Sequence, residues 1–139
     1  MQHDLFVVQL SKEAWARHSE QAHLIAFKEL SDAKMERIDF ALVVQENDSI
    51  LGYVTCREHD YSTLYWQFGG AFPGTRSTSL SFKGYLALVN WSRERYKIVT
   101  TLIENTNLVM IKMALKVGFI IHGVRCVRGK VYLELYCEF

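Results

Sequence analysis

The sequence predicts an α/β (α+β) fold: a mixed, mostly antiparallel sheet of about seven strands flanked by helices. Three patterns support this prediction. Residues 40–72 have the pattern of three consecutive strands joined by short turns, residues 78–117 alternate helix, strand and helix, and two further strands end the chain. The 139 residues fit one domain, 1–139, with a core of useful size.

The N-terminal elements are a short strand and two helices. Residues 5–10 are a run of apolar residues typical of a buried strand. Ser11 is a good N-cap for a helix over roughly 12–30, in which apolar residues recur near helical spacing. We predict a short second helix over residues 32–38, behind Ser31 or Asp32 as its cap.

A meander of three strands follows, at 40–45, 50–58 and 62–72. Asn47-Asp48 marks the first turn, and the second lies around Asp60. Gly69-Gly70 interrupts the third strand, which predicts a bulge or a close backbone approach there.

The remaining elements are predicted at 78–96 (helix), 97–103 (strand), 107–117 (helix), 119–127 (strand) and 131–138 (strand). Gly118 is suited to a left-handed helix C-cap. Arg128-Gly129-Lys130 predicts the turn between the last two strands.

Composition excludes several classes of function. The chain has 16 basic and 15 acidic residues, so it lacks the basic field of a nucleic-acid binder. Its apolar runs are far shorter than the roughly 20 residues of a membrane helix, so no membrane partner is expected. The N-terminus has no basic region or cleavage pattern of a secretory signal, and we therefore expect a cytoplasmic protein.

The three cysteines, Cys56, Cys126 and Cys137, all fall in predicted strands without CxxC spacing. An odd number in this arrangement argues against a disulfide framework, and we expect small buried hydrophobes in a reducing cytosol. The five histidines form no metal-binding motif, so no metal site is expected.

Two segments carry the chemical signal. Residues 71–81 run from a strand end through a tight turn into a helix that begins with small residues. Unpaired amides at a helix N-terminus bind phosphate where small side chains allow its approach. In the second segment, Asn107 is followed eleven residues later by Gly118-Phe119.

Here the sequence resembles the GNAT acetyltransferase superfamily, whose central motif is V-x-P-x-x-R-G-x-G-x-G. This chain has Ala71, Pro73, Arg76, Ser77, Ser79 and Ser81 at those places, so serine replaces each glycine. The later family motif, N-x-x-A-x-x-x-Y-x-x-x-G-F, is matched by Asn107, Gly118 and Phe119, with Met110 at its alanine and Ala114 at its tyrosine. The chain also looks like the short, divergent GNAT-like proteins of tailed phages.

The resemblance implies the GNAT fold and acetyl-CoA as cosubstrate. Amides over 76–81 would hold the pyrophosphate, and an amide near Ala71 the thioester carbonyl. Asn107 would bond the pantetheine arm, which would enter where residues 69–72 splay from 98–103. The implied cofactor-binding residues are Ala71, Phe72, Arg76, Ser77, Thr78, Ser79, Leu80, Ser81 and Asn107.

Serine in place of glycine leaves two interpretations open. If the serines are already helical they are tolerated, and their hydroxyls can bond phosphate oxygens. If those positions need positive φ, each costs about 1 kcal/mol or more. The alternative to a coenzyme A site is a Ser/Thr-rich helix cap with no ligand.

The family's catalytic pair is absent. The places that hold a Glu or His base in many members hold Gln67 and Tyr65, and the acid tyrosine is Ala114. Glutamine cannot take a proton, and a tyrosine with pKa near 10 is a poor base at neutral pH. We assign proton transfer to Glu104 and Tyr65, with His122 and the turn residues 58–60 as further titratable groups.

The leading hypothesis is an acetyl-CoA-dependent N-acetyltransferase acting on a primary amine of a small molecule or a protein. The alternative is a GNAT-fold protein, phage-encoded, that has lost catalysis and serves as a binding or structural component. The strand-rich C-terminus offers an edge at which two copies of the chain could pair as a homodimer.

Overall fold

A computed structural model describes residues 5–17, 37–47, 49–71 and 79–139. One sheet holds seven strands in the order β1-β2-β3-β4-β5-β7-β6. The strands are β1 (Leu5–Ser11), β2 (Phe40–Glu46), β3 (Ser49–Glu58), β4 (Thr63–Ala71), β5 (Ile98–Glu104), β6 (Ile120–Val127) and β7 (Lys130–Glu138). Residues 12–17 are helical (α1), followed later by α2 (Ser79–Arg93) and α3 (Leu108–Val117). All neighbouring strands are antiparallel except β4 and β5, which confirms the predicted mixed sheet.

The sheet separates two hydrophobic clusters. Strand β2 shows how, because its residues alternate between them: Phe40, Leu42 and Val44 belong to the larger cluster, with α2 and α3, and Ala41 and Val43 to the smaller. β2 is therefore buried on both faces, which explains its unbroken apolar sequence.

The smaller cluster is closed by α1. Trp15 is buried and its ring stacks on Tyr53 of β3, with centroids 4.7 Å apart. The Ala14 N–H donates to Ser11 Oγ at 3.2 Å, so Ser11 is the predicted N-cap. Of the helix predicted over 12–30, residues beyond 17 lie outside the described part, as do 32–36 of the second predicted helix, whose last two residues, 37 and 38, are not helical.

Three turns follow predicted positions. The Asp60 carboxylate closes the β3–β4 turn by accepting from Ser62 N (2.7 Å), Ser62 Oγ (2.8 Å) and Thr63 N (2.8 Å). Asn47 has φ 54° in the β2–β3 turn, while Asp48 lies outside the described residues. Arg128 and Gly129 both have positive φ, the pattern of a type I′ hairpin, so Lys130 belongs to β7 and not to the turn.

The C-terminal ends of α2 and α3 are each closed by backbone hydrogen bonds. α2 ends at Arg93, three residues before the predicted end, because the N–H groups of Arg95 and Tyr96 turn back to the Ser92 carbonyl. α3 ends as predicted at Gly118, whose φ of 111° is left-handed.

The predicted irregularity in β4 is displaced by two residues. Thr55 pairs with Phe68 and Cys56 with Trp66, so the extra residue of the bulge is Gln67 and not Gly69-Gly70. Gly69 instead provides the close approach: a Cβ added to it would lie 3.1 Å from the Tyr53 carbonyl oxygen.

Cys56 and Cys137 are buried free thiols, as expected, but Cys126 is exposed because it lies on the edge strand β6. No helix among the described residues is long and apolar enough to cross a membrane. Nor do those residues bring three His, Cys, Asp or Glu side chains together in a possible metal site.

Candidate active site

The parallel strands β4 and β5 pair over four residues and then diverge. Their last pair is Trp66 with Thr101; beyond it, β4 continues along β3 while β5 continues along β7. The predicted splay is therefore present, but it begins after Thr101, because residues 98–101 are paired. A cleft of about 680 Å³ opens at this point, which is within the usual range for small-molecule sites.

Side chains from both faces of the sheet line this cleft. Its apolar side lies against the larger core cluster and is formed by Val44, Leu51, Tyr85, Leu88, Met110 and Met113. Its polar side is formed by Arg37, Tyr65, Gln67, Glu104, Arg125 and Tyr132. Because strand neighbours point to opposite faces, core-facing Trp66 and the adjacent Tyr65 line the cleft from its two sides. The gap between β4 and β5 thus connects an apolar space with a polar surface.

Part of the predicted phosphate segment is described. Phe72, Arg76, Ser77 and Thr78 lie outside the described residues. Ala71 ends β4, Ser79 begins α2, and Leu80 packs on the core. Ser81 lines the cleft. The backbone at Ser79 and Ser81 is helical, so serine carries no positive-φ cost at these two places.

Asn107 also lines the cleft, at the N-terminus of α3. Its Oδ1 accepts a hydrogen bond from the Met110 N–H at 3.3 Å, which makes it the helix N-cap. The two N–H donors of the side-chain amide remain for a ligand. Of the predicted cofactor residues, Ser81 and Asn107 are therefore brought to the same cleft.

Tyr65 and Glu104, the predicted proton-transfer residues, both line the polar side. The Tyr65 ring stacks on His59, with centroids 5.4 Å apart. Burial raises the pKa of Tyr65 above its usual value, against the opposing charges of Arg125 and Arg57. The Tyr65 hydroxyl is therefore protonated at physiological pH. Glu104 ends β5, opposite Tyr132 of β7.

The other predicted titratable groups lie elsewhere. The Tyr96 hydroxyl donates a hydrogen bond to Glu58 Oε1 at 2.5 Å. The His122 ring packs edge-on against the Tyr136 ring, with centroids 5.0 Å apart. Neither Glu58 nor His122 lines the cleft. Ala114, at the place of the acid tyrosine in the family motif, has no ionisable group and is fully buried in the core.

Sequence reasoning missed two features of the cleft. Met110 and Met113 form part of its apolar wall, which their spacing of three on a helix that starts after Asn107 could have indicated. Gln67 was noted only as an absent base, yet its Oε1 is buried and has no hydrogen-bond partner among the described residues.

No model of a known protein family matches the sequence, and no curated protein is similar to it in sequence. Solved structures match its fold. A GNAT family acetyltransferase from Elizabethkingia anophelis, with acetyl-CoA bound, is similar with TM-score 0.75 and 14% identity over 99% of this chain and all of that one.

Two further structures of similar fold are those of enzymes whose names state their activities. The ribosomal-protein-S18-alanine N-acetyltransferase from Escherichia coli has TM-score 0.75 and 10% identity, covering 97% of this chain and 94% of that one. A chimeric spermidine N-acetyltransferase from Vibrio cholerae has TM-score 0.74 and 12% identity, covering 96% and 95%. At these identities the likeness is one of fold: this chain has the fold of the GNAT acetyltransferases, over nearly its whole length.

Proposed function

We propose that this protein is an acetyl-CoA-dependent N-acetyltransferase that acetylates a primary amine. The observation that carries the proposal is the cleft that opens where β4 and β5 cease to pair after Trp66 and Thr101. A structure of similar fold has acetyl-CoA bound, which makes acetyl transfer the activity that best fits this geometry.

Coenzyme A would lie with its pantetheine arm in the gap and its pyrophosphate at the N-terminus of α2. The side-chain amide of Asn107 would donate to a pantetheine carbonyl, because its Oδ1 is already occupied by the helix cap. Backbone amides over 76–81 would bind the phosphates, aided by the positive end of the helix dipole. The apolar wall would cover the uncharged arm and exclude water.

The reaction would be a direct transfer. The amine nitrogen attacks the thioester carbon, an N–C bond forms, and the C–S bond breaks. The amine loses one proton, which Glu104 takes directly or through a water molecule. The departing thiolate receives a proton from Tyr65, whose neutral form burial maintains. Holding the two reactants together also accelerates the step, by removing the entropic cost of their encounter.

The decisive experiment incubates the protein with acetyl-CoA and each of two amines, spermidine and a peptide with a free N-terminal alanine. Loss of the thioester absorbance measures turnover, and mass spectrometry identifies the acetylated amine. Acetyl-CoA-dependent acetylation supports the proposal. Binding of acetyl-CoA without turnover on either amine would instead favour the catalytically inactive alternative, which the alanine at position 114, in place of an acid tyrosine, also supports.

Arg76→Glu tests where the phosphates bind. A carboxylate beside the pyrophosphate repels it, so the affinity for acetyl-CoA should fall by about tenfold or more. Arg95→Glu is a matched control, because Arg95 packs over Trp91 and bonds its carbonyl oxygen, apart from the cleft. Equal affinity in Arg76→Glu and wild type would remove residue 76 from the phosphate site.

A further inference from the structure

Arg125 lies on the polar side of the cleft, away from α2. It pairs with Tyr132 of β7, which pairs in turn with Glu104 of β5, so the three residues form a row across the sheet. Cross-strand partners share a face, and successive residues of a strand point to opposite faces. The neighbours Ile103 and Leu133 pack in the larger core cluster with α2, so the row lies on the other face.

The guanidinium group of Arg125 is available to a ligand. Its Nε lies 3.7 Å from Glu134 Oε1, which is an ion pair too long for a hydrogen bond. The group donates no hydrogen bond to any described residue. Its planar fork of N–H groups, which matches the two oxygens of a carboxylate, is therefore unoccupied by the described part of the chain.

The charges that line the cleft are mainly positive. Among the described residues of its wall, Arg37 and Arg125 are basic and Glu104 is acidic. Arg37 makes no hydrogen bond or ion pair with the rest of the described chain. Burial raises the pKa of Tyr65, and the charge of Arg125 opposes that effect, so the guanidinium acts on the proposed proton donor.

This arrangement distinguishes between classes of amine. In the proposed reaction, Glu104 receives the proton of the reacting nitrogen, which leaves the two arginines to face the rest of the acceptor. A polyamine would place a second ammonium beside two guanidinium groups, and like charges repel. A carboxylate would instead accept charge-assisted hydrogen bonds from Arg125.

We propose that the acetylated amine also carries a carboxylate, which Arg125 binds through the N–H groups of its guanidinium while Arg37 adds to the positive field. The acceptor is therefore an acidic amine, either a free amino acid or a peptide N-terminus followed by an acidic residue, and not a polyamine. This inference rests on the proposed acetyl transfer.

The first experiment compares primary amines that differ only in their second group. A series of ω-amino acids of increasing length is matched with the amino alcohols and diamines of equal length. Amidated peptides that begin Ala-Glu, Ala-Gln and Ala-Lys form a second series. We expect kcat/KM for the acidic member at its best length to exceed that of the neutral member by about tenfold, with the cationic member lowest.

A preference for the acid among the small amines identifies a free amino acid as the acceptor, and a preference confined to the peptides identifies a peptide N-terminus. Equal kcat/KM values throughout both series, or higher values for the diamines and spermidine, overturn the inference and leave the proposed acetyl transfer intact.

The second experiment changes Arg125. Arg125→Gln removes the charge, and Arg125→Lys keeps the charge without the fork. Arg93→Gln is the matched control, because Arg93 lies over the Phe139 ring at 5.3 Å and does not line the cleft. Arg125→Gln should lower kcat/KM for the acidic amine by about tenfold and leave the amino alcohol unchanged. Arg125→Lys should recover part of the loss, and an equal loss for both amines would contradict carboxylate binding.

Calorimetry with acetyl-CoA separates failure of the inference from failure of the proposed function. Arg125→Gln should bind acetyl-CoA as tightly as wild type. A weaker affinity would mean that Arg125 binds a phosphate of the cosubstrate, which overturns the inference, as does a wild type that binds acetyl-CoA but acetylates none of the acidic amines. A wild type that does not bind acetyl-CoA overturns the proposed function itself.

Discussion

Thr101 Oγ1 donates a hydrogen bond to the Trp66 carbonyl oxygen at 3.1 Å, from β5 to β4. These two residues are the last pair of the parallel ladder, so the side-chain bond lies where the strands begin to part. The bond joins the two strands where the cleft begins, and it is a side-chain bond added to the backbone bonds of the ladder. The neighbouring Thr100 has the same side chain, but its buried Oγ1 bonds no residue in the part of the chain that the structure describes.

The two threonines allow a matched test of this bond. Thr101→Val should lower the free energy of unfolding by about 1 kcal/mol, because it removes a donor from a partly buried carbonyl. Thr100→Val should be neutral or slightly stabilising, since it removes a buried hydroxyl that bonds none of the described residues. Urea unfolding measures both. Equal destabilisation by the two substitutions would mean that the Thr101 bond contributes nothing particular.

Gly69 and Gly84 should respond to alanine with opposite signs. At Gly69 a Cβ would lie 3.1 Å from the Tyr53 carbonyl oxygen, so the β3–β4 backbone must shift and the protein should lose about 1 kcal/mol. At Gly84, within α2, the nearest atom would be Val44 Cγ1 at 3.7 Å, an ordinary contact. Gly84→Ala should therefore gain about 0.5–1 kcal/mol from helix propensity. Thermal unfolding curves in which Gly69→Ala is as stable as wild type would contradict the close approach.

Two substitutions can separate the two roles of Asn107, as the cap of α3 and as a donor to acetyl-CoA. Asn107→Asp keeps an oxygen for the Met110 N–H, so the helix cap and the stability of α3 should be retained. It removes the amide donors and adds a negative charge, so acetyl-CoA affinity should fall by about tenfold. Asn107→Ala should lose both, with about 1 kcal/mol of stability. Full acetyl-CoA affinity in the aspartate variant would leave Asn107 as a cap alone.

Tyr65→Phe tests the proton donor. With saturating substrates kcat should fall by roughly 10²-fold, while acetyl-CoA affinity is unchanged. Burial raises the pKa of Tyr65, so the hydroxyl keeps its proton beyond the ordinary value near 10. The ratio of wild-type to variant kcat should therefore stay constant from pH 7 to 9. Tyr136→Phe, outside the cleft, is the control, and a ratio that falls to one within this range would exclude Tyr65 as the donor.

The same shift has a consequence for stability. The folded pKa of Tyr65 lies above its unfolded value, so its contribution is complete below about pH 10 and is lost as pH rises through the folded pKa. Tyr65→Phe should consequently reduce the loss of stability above pH 10. Thermal unfolding at pH 8 and pH 11 measures this, and an equal loss in wild type and variant would contradict the shift.

The sequence predicted the elements well because each boundary has a local cause. Ser11 caps α1, Asp60 closes a turn by its own carboxylate, and Gly118 supplies the left-handed cap of α3. The bulge was misplaced because glycine signals an irregular backbone locally, whereas the register of β4 against β3 depends on pairing across the sheet and leaves Gln67 unpaired. The cleft-lining residues beyond Glu104, Tyr65, Ser81 and Asn107 required the structure, since they come from elements distant in sequence.

The central claim is that the cleft after Trp66 and Thr101 binds acetyl-CoA, and a calorimetric titration of the wild-type protein tests it most directly. The account predicts saturable binding with one acetyl-CoA per chain. A protein that releases or takes up no heat at any concentration of acetyl-CoA, and whose Tm does not rise with it, would contradict the account.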